Sequence, residues 1–197
     1  MNRTAAIRAI ITATTVEPVV YTTEATCRAA RSIADRRNHL YLTVGQGMAS
    51  SLGIGVAMQI GRPTVVVDAY GSLARNPMGL ITAGSVAGLR LVHVVLDDGL
   101  FGAGQSAASP SGRADICALA RASGYASVSS TARADRFLAL LRNQLATATR
   151  PVLIRCLLSE PDEPAVPSAG LRTVDLPENA RRFQDTIGAL SPVPRTA

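Results

Sequence analysis

Five short apolar runs, at residues 18–22, 39–43, 64–68, 91–96 and 151–157, are separated by segments of helix length. Runs such as Thr64-Val-Val-Val-Asp68 and Leu91-Val-His-Val-Val-Leu96 are apolar at consecutive rather than alternate positions, the pattern of a strand covered on both faces. Residues 24–36, 47–60, 73–88, 114–123 and 132–147 carry Ala, Leu, Ile and Arg at helical spacing, with Thr131 and Ser111-Gly112 as cap or turn signals. Regular alternation of strand and helix predicts an α/β domain, a three-layer doubly wound parallel sheet with helices on both faces. The crossovers are too long for hairpins and contain no Asn-Gly turn, which argues against an all-β fold.

The pattern changes after Leu158, where Pro161, Pro164 and Pro167 fall in a polar stretch that reads as a linker. Beyond it, residues 177–190 place Phe183, Ile187 and Leu190 on one stripe, predicting a short amphipathic helix that docks on this chain or on a partner. The expected organisation is therefore one domain over residues 1–158, followed by a linker and helix over 159–197. A chain of 197 residues with 47% hydrophobic content can bury one such core. Its apolar stretches are interrupted before they reach bilayer length and its first residues lack a secretory pattern, so a cytoplasmic location is expected. Cys27, Cys117 and Cys156 are far apart and odd in number, which predicts reduced, buried thiols rather than a disulfide framework or zinc site.

Composition narrows the chemistry further. All 20 basic residues are Arg, so a phosphate-binding lysine of the Walker type, a Schiff-base nucleophile and a pyridoxal anchor are all excluded from this chain. The net charge of +6 raises nucleic acid as a partner, but the arginines are scattered and aromatics make up only 4%, so no stacking platform interleaves with them. His39 and His93 lie inside apolar runs without a neighbouring ligand residue and read as core histidines. No Gly-x-Ser-x-Gly elbow is present, and Ser50-Ser51 falls within a predicted helix, which leaves a serine hydrolase without support.

The candidate chemistry sits at strand ends. Asp68-Ala-Tyr-Gly-Ser72 and Asp97-Asp-Gly-Leu-Phe-Gly102 each close an apolar strand with an acid and a glycine turn. In an open parallel sheet, ligands occupy the crevice beyond the carboxyl ends of neighbouring strands. A helix beginning near Ser72 would direct its free amides at an anion, and the second turn offers a carboxylate and a backbone carbonyl to a hard cation. The alternative is that Asp97 and Asp98 only cap a turn. Val44-Gly-Gln-Gly-Met48 opens another helix after a strand, with Gln46 and Met48 placed to touch a ligand; the alternative there is close packing of helix on sheet. Residues 102–112 read as a mobile loop that closes over a substrate or merely connects.

In order and spacing, these segments resemble the diphosphate-binding domain of thiamine diphosphate enzymes, specifically sulfopyruvate decarboxylase β subunits and the matching half of phosphonopyruvate decarboxylase, over Ile10 to Cys156. Tyr21-Thr-Thr-Glu24 is similar to the family's Thr-Thr-Gly-like turn, and Gln46-Gly-Met-Ala-Ser-Ser51 to its helix start. Asp68-Ala-Tyr-Gly-Ser72 stands where the family has Asp-Gly-Asp-Gly-Ser. Leu96-Asp-Asp-Gly-Leu-Phe-Gly102 and Gly104-Gln105 match its later turn and loop, and Ala118 to Tyr125 fits as well. The resemblance implies cofactor contacts from Thr22, Thr23, Gly45, Gln46, Gly47, Met48, Ala69, Tyr70, Gly71, Ser72, Asp98, Leu100, Phe101 and Gly102. It also implies a Mg2+ ion held by Asp98 and Leu100.

Departures accompany the match: the family's metal-binding Asp falls on Tyr70, its preceding Gly on Ala69, and its apolar cofactor prop on Gln46. The family's second ligand, usually Asn, is Asp98. The activating glutamate of the family lies on a separate pyrimidine-binding domain, so the resemblance implies a heteromeric partner chain carrying it. The implied reaction is decarboxylation or carboligation of a small anionic 2-oxo acid. Two further readings stay open, a degenerate subunit that scaffolds or regulates a partner, and a pocket that takes another phosphorylated ligand.

Overall fold

A strand with no polar face has to be covered on both sides, and the computed structural model, which describes residues 1–101, 107–108, 114–159 and 175–190, shows how this is done. In chain order the elements are α1 (Arg3–Ala13), β1 (Val19–Thr22), α2 (Glu24–Ile33), β2 (His39–Leu42), α3 (Ala49–Ile60), β3 (Thr64–Ala69), the single turn α4 (Tyr70–Leu73) and α5 (Met78–Ser85). They continue with β4 (Leu91–Asp97), the short strands β5 (Leu100–Phe101) and β6 (Ala107–Ala108), α6 (Ile116–Ala122), β7 (Ser127–Thr131), α7 (Ala134–Thr147), β8 (Val152–Leu157) and α8 (Leu176–Leu190). Six strands form one sheet in the order β2-β1-β3-β4-β8-β7. Every pairing in it is parallel.

Alternate residues of the central strands feed two cores. Val65, Val67, Val92, Val94 and Leu96 pack with Ile7 and Ile10 of α1, Cys27 of α2 and Phe137 and Leu141 of α7. Val66, Leu91, Val95 and Leu153 pack on the opposite face with α3, α5 and α6. The result is the α/β three-layer arrangement expected from the sequence. All three cysteines are free and buried, and burial pushes the Cys27 thiol up to about 12. Among the described residues no helix is long and apolar enough to cross a membrane.

Three local expectations are corrected. Residues 73–88 do not form one helix: α4 ends at Leu73 and α5 begins at Met78, because Pro77 has no amide to continue the hydrogen-bond ladder. The helix after β3 starts at Tyr70, not near Ser72, and is one turn long, too short for an aligned macrodipole. Two elements were also absent from the apolar pattern. Helix α1 is capped by Asn2, whose side chain accepts from the Ala5 amide at 2.8 Å, and β7 is a Ser-rich strand at the sheet edge.

The other edge, β2, is closed by the C-terminal helix. Phe183 and Ile187 of α8 join the second core, which is the docking expected of the amphipathic segment. Asn179 then pairs with the strand as a neighbouring backbone would: its Oδ1 accepts from Tyr41 N–H at 2.9 Å and its Nδ2 donates to His39 C=O at 2.9 Å. Arg182 ties the helix to Asp35 at 2.5 Å. Burial would raise Asp35, but Arg182, the Tyr41 hydroxyl and Arg31 together hold it below the usual carboxylate range. An Asn179→Ala change strands two backbone groups, so the unfolding free energy from urea melts should fall by about 2 kcal/mol. An unchanged melt would show that water replaces the side chain.

Candidate functional site

Strand order fixes where a ligand can sit. Strand β1 is followed in sequence by β2 on one side and then by β3 on the other, so the chain reverses direction between β1 and β3 and opens a crevice at their carboxyl ends. Strand β4 lies directly beside β3, with Asp68 level with Val95 and Ala69 with Leu96. The two acid-Gly turns of the sequence therefore emerge from adjacent strands.

At the end of β1, Thr22 is buried and its hydroxyl has no hydrogen-bond partner among the described residues. Thr23 follows with φ 69°, and among the described residues no other non-glycine residue has a positive φ. A β-branched residue in that region is strained. Its hydroxyl caps α2, donating to Thr26 Oγ1 at 3.0 Å and accepting from Thr26 N–H at 3.4 Å. The strained turn thus holds an unpaired hydroxyl at the crevice.

The turn after β2 is bound to the turn after β3. Gly45 and Gly47 have φ of 77° and 86°, and a Cβ on Gly47 would come within 3.1 Å of Asn76 Cβ, so only glycine fits there. The Gly47 amide donates to Ser72 Oγ at 3.0 Å, and Asn76 Nδ2 donates to the Gly47 carbonyl at 3.0 Å. This lock leaves Gln46 and Met48 exposed at the rim. Gly45, Gln46, Gly47, Met48, Ala69, Tyr70, Gly71 and Ser72 are consequently brought together.

Tyr70 turns inward. It is buried in the second core, and its hydroxyl donates to the Ala114 carbonyl at 3.2 Å. Burial, then the Asp97 charge, raises its pKa against the pull of Arg155, so the phenol stays neutral. At the end of β4, Asp97 Oδ1 accepts from Gly99 N–H at 3.0 Å, while Oδ2 is gripped by Arg155 Nε at 2.8 Å and Nη2 at 2.6 Å. Asp98 meets Arg3 Nη2 at 2.7 Å. Asp97 therefore does cap its turn, as the simpler sequence alternative has it, and both acids carry guanidinium partners as well.

These residues do not fit a divalent cation. A neutral phenol occupies the first ligand position, the acid at the second is ion-paired, and among the described residues no three His, Cys, Asp or Glu side chains converge. Leu100 and Phe101 begin the short strand β5, and Gly102 lies outside the described residues. The loop expected at residues 102–112 falls largely outside them too.

Behind the turns lies a buried couple. Asp68 is fully buried, and burial pushes its carboxyl up to about 7; the nearby Ser72 hydroxyl and Ala69 amide only soften the rise. His93 Nε2 is 4.0 Å from Asp68 Oδ2, and its Nδ1 is 3.2 Å from the Tyr125 hydroxyl. Burial lowers His93 to about 4, as it does His39, and both are core residues. Arg3, Asn76, Ala114 and Arg155 were not foreseen. For Arg155 a signal exists, since it is the lone charge in the run Val152-Leu-Ile-Arg-Cys-Leu157.

The couple makes a pH prediction. Asp68, raised from 3.8 to about 7, favours folding below 3.8 and loses that contribution as pH rises through about 7. His93, lowered from 6.5 to about 4, favours folding above 6.5 and loses it as pH falls through about 4. The two slopes oppose each other between these limits. In an Asp68→Asn variant only the histidine slope remains, so denaturation midpoints should rise with pH more steeply than in the wild type between about pH 4 and 6.5. Parallel curves would mean that Asp68 is already ionised across the window.

No family model matches the chain. It is 34% identical over 180 residues to a phosphonopyruvate decarboxylase from Streptomyces hygroscopicus, a match covering 91% of this chain and 43% of that protein. It is 35% identical over 94 residues to the β subunit of sulfopyruvate decarboxylase from Methanothermobacter thermautotrophicus, covering 48% of this chain and 51% of the relative. The chain thus spans about half or less of the length of these relatives. Among solved structures, a thiamine diphosphate-dependent 4-hydroxybenzoylformate decarboxylase from Rhodococcus jostii RHA1 superimposes with a TM-score of 0.68 at 17% identity, covering 83% of this chain and 33% of that one. That likeness shows a shared fold.

Proposed function

Because the chain is a homologue of the phosphonopyruvate decarboxylases and of sulfopyruvate decarboxylase β subunits, we propose that it is the diphosphate-binding part of a heteromeric thiamine diphosphate-dependent enzyme. Its substrate is a small anionic 2-oxo acid, which it decarboxylates or carboligates. The observation that carries this reading is the convergence of the β1, β2 and β3 turns on one crevice, with Gly47 hydrogen-bonded to Ser72 across it. Thr22, Thr23, Gly45, Gln46, Gly47 and Met48 line one side of the proposed site. The Ala69-to-Ser72 turn and residues 98–101 line the other, and Gly102, outside the described residues, is assigned with them. The domain that does this is residues 1–158, with 159–197 as linker and docking helix.

When bound, the cofactor supplies an electron sink for the carbanion left by departing carbon dioxide. This chain's share is to orient the diphosphate, to keep the crevice apolar through Tyr70 and the second core, and to present arginine charge to an anionic substrate. The activating glutamate is assigned to a partner subunit with a pyrimidine-binding domain. Support for a partner comes from the surface beside the turns: Met48 at the cap of α3, Leu52 and Met58 on its outward stripe, and Met78 and Ile81 on neighbouring α5 are all exposed. Gly55 lies on that stripe, and a Cβ added there would meet nothing within 4 Å, so no packing among the described residues accounts for it.

A second reading is favoured by one observation, the neutral, core-facing Tyr70 at the family's metal position: a degenerate subunit that scaffolds or regulates a catalytic relative. Titration calorimetry of thiamine diphosphate into the chain copurified with its pyrimidine-binding partner should give saturable binding. Silence in the assembled complex would overturn the enzymatic reading and leave the second. A Gly55→Arg substitution should leave the isolated chain's melting temperature nearly unchanged while weakening the complex about tenfold or more. Intact association would remove α3 from the interface.

A further inference from the structure

The carboxylates at the end of β4 already have cations. Asp97, whose side chain is 2% exposed, is held through two N–H donors of Arg155, whose side chain is 20% exposed. Asp98 and Arg3 pair at 2.7 Å, with side chains 25% and 14% exposed. Among the described residues, each acid of the turn thus already meets a guanidinium. For a divalent ion to bind there it would have to strip a guanidinium from a largely buried carboxylate, giving up charge-assisted hydrogen bonds. Little would replace them. Tyr70 offers a phenol already engaged with the Ala114 carbonyl, and Asp115 Oδ1 is occupied in capping α6, accepting from Cys117 and Ala118 amides at 2.8 and 3.0 Å.

Resting on the diphosphate reading above, we propose that this site binds a diphosphate without a divalent cation, the Arg155 fork on Asp97 offering its remaining N–H donors to phosphate oxygens. Arg155 lies on β8, the strand next to β4, level with Val95 and close to the Tyr70 ring that fills the first ligand position. A guanidinium has five N–H donors in a planar fork that suits phosphate oxygens; Asp97 uses two of Arg155's, and the Cys117 thiol lies within reach of the fork as well. With no lysine anywhere in the chain, arginine is the residue that can take this role. Asp97 then serves as a positioning residue: by fixing Nε and Nη2 it orients the rest of the fork.

The test is calorimetric titration of the full chain, copurified with its pyrimidine-binding partner, with inorganic pyrophosphate and separately with thiamine diphosphate, each in EDTA and in magnesium chloride. Dissociation constants that agree within about threefold between the two buffers support the proposal. Binding only in magnesium overturns it and leaves the diphosphate reading standing; no heat from either probe in either buffer overturns both. Arg155→Lys keeps a charge opposite Asp97 but loses the fork, and should weaken pyrophosphate about tenfold without introducing magnesium dependence. Should that variant fail to fold, the wild-type comparison of buffers still decides.

Discussion

A strand covered on both faces has no solvent along its length, and β3 and β4 show the consequence. Apart from the buried His93, their middles are valine and leucine, and the charges that do any work outside the core are pushed to the carboxyl ends. Because all six strands run parallel, those ends lie on one edge of the sheet, and the reversal between β1 and β3 separates the loops there into a crevice. Each feature of the site inherits its position from this constraint: the strained Thr23, the glycine turn locked to Ser72, and the acids at the end of β4.

Charges that enter the interior are handled in two ways. Asp97 and Arg155 are paired across neighbouring strands, which offsets their desolvation through direct hydrogen bonds. Asp68 and His93 stand 4.0 Å apart without a hydrogen bond, and burial drives both toward their neutral forms. Acids only two strand positions apart along the crevice thus differ in kind, one held in an ion pair and the other pushed by burial toward its neutral form.

The central strands were readable from sequence because continuous apolar runs leave few alternatives. Strand β7 was not: Ser127-Val-Ser-Ser-Thr131 has one strongly apolar residue, and its position comes from the β8 edge it pairs with. Helix α1 mixes Thr, Arg, Ala and Ile without a sharp polar face and becomes intelligible only once Ile7 and Ile10 meet α2 and α7. The turns of the site were visible as acid-and-glycine strings, as were the departures at Tyr70 and Ala69. What no local pattern contains is which groups meet across the sheet. Arg3 and Asp98 are 95 residues apart, and Arg155 and Asp97 are 58 apart.

Asn179 has a consequence of a different kind. An uncovered outer strand is a template onto which other chains can add, and sheets guard against this with charge, proline or bulges. Here a single amide side chain, delivered from α8, occupies two of the outward pairing groups of β2, the Tyr41 N–H and the His39 carbonyl. The cover on this sheet edge therefore resides in a segment that follows β8. Trimming the chain at the end of β8, a natural choice for isolating the folded body, would produce a protein with an open aggregation front.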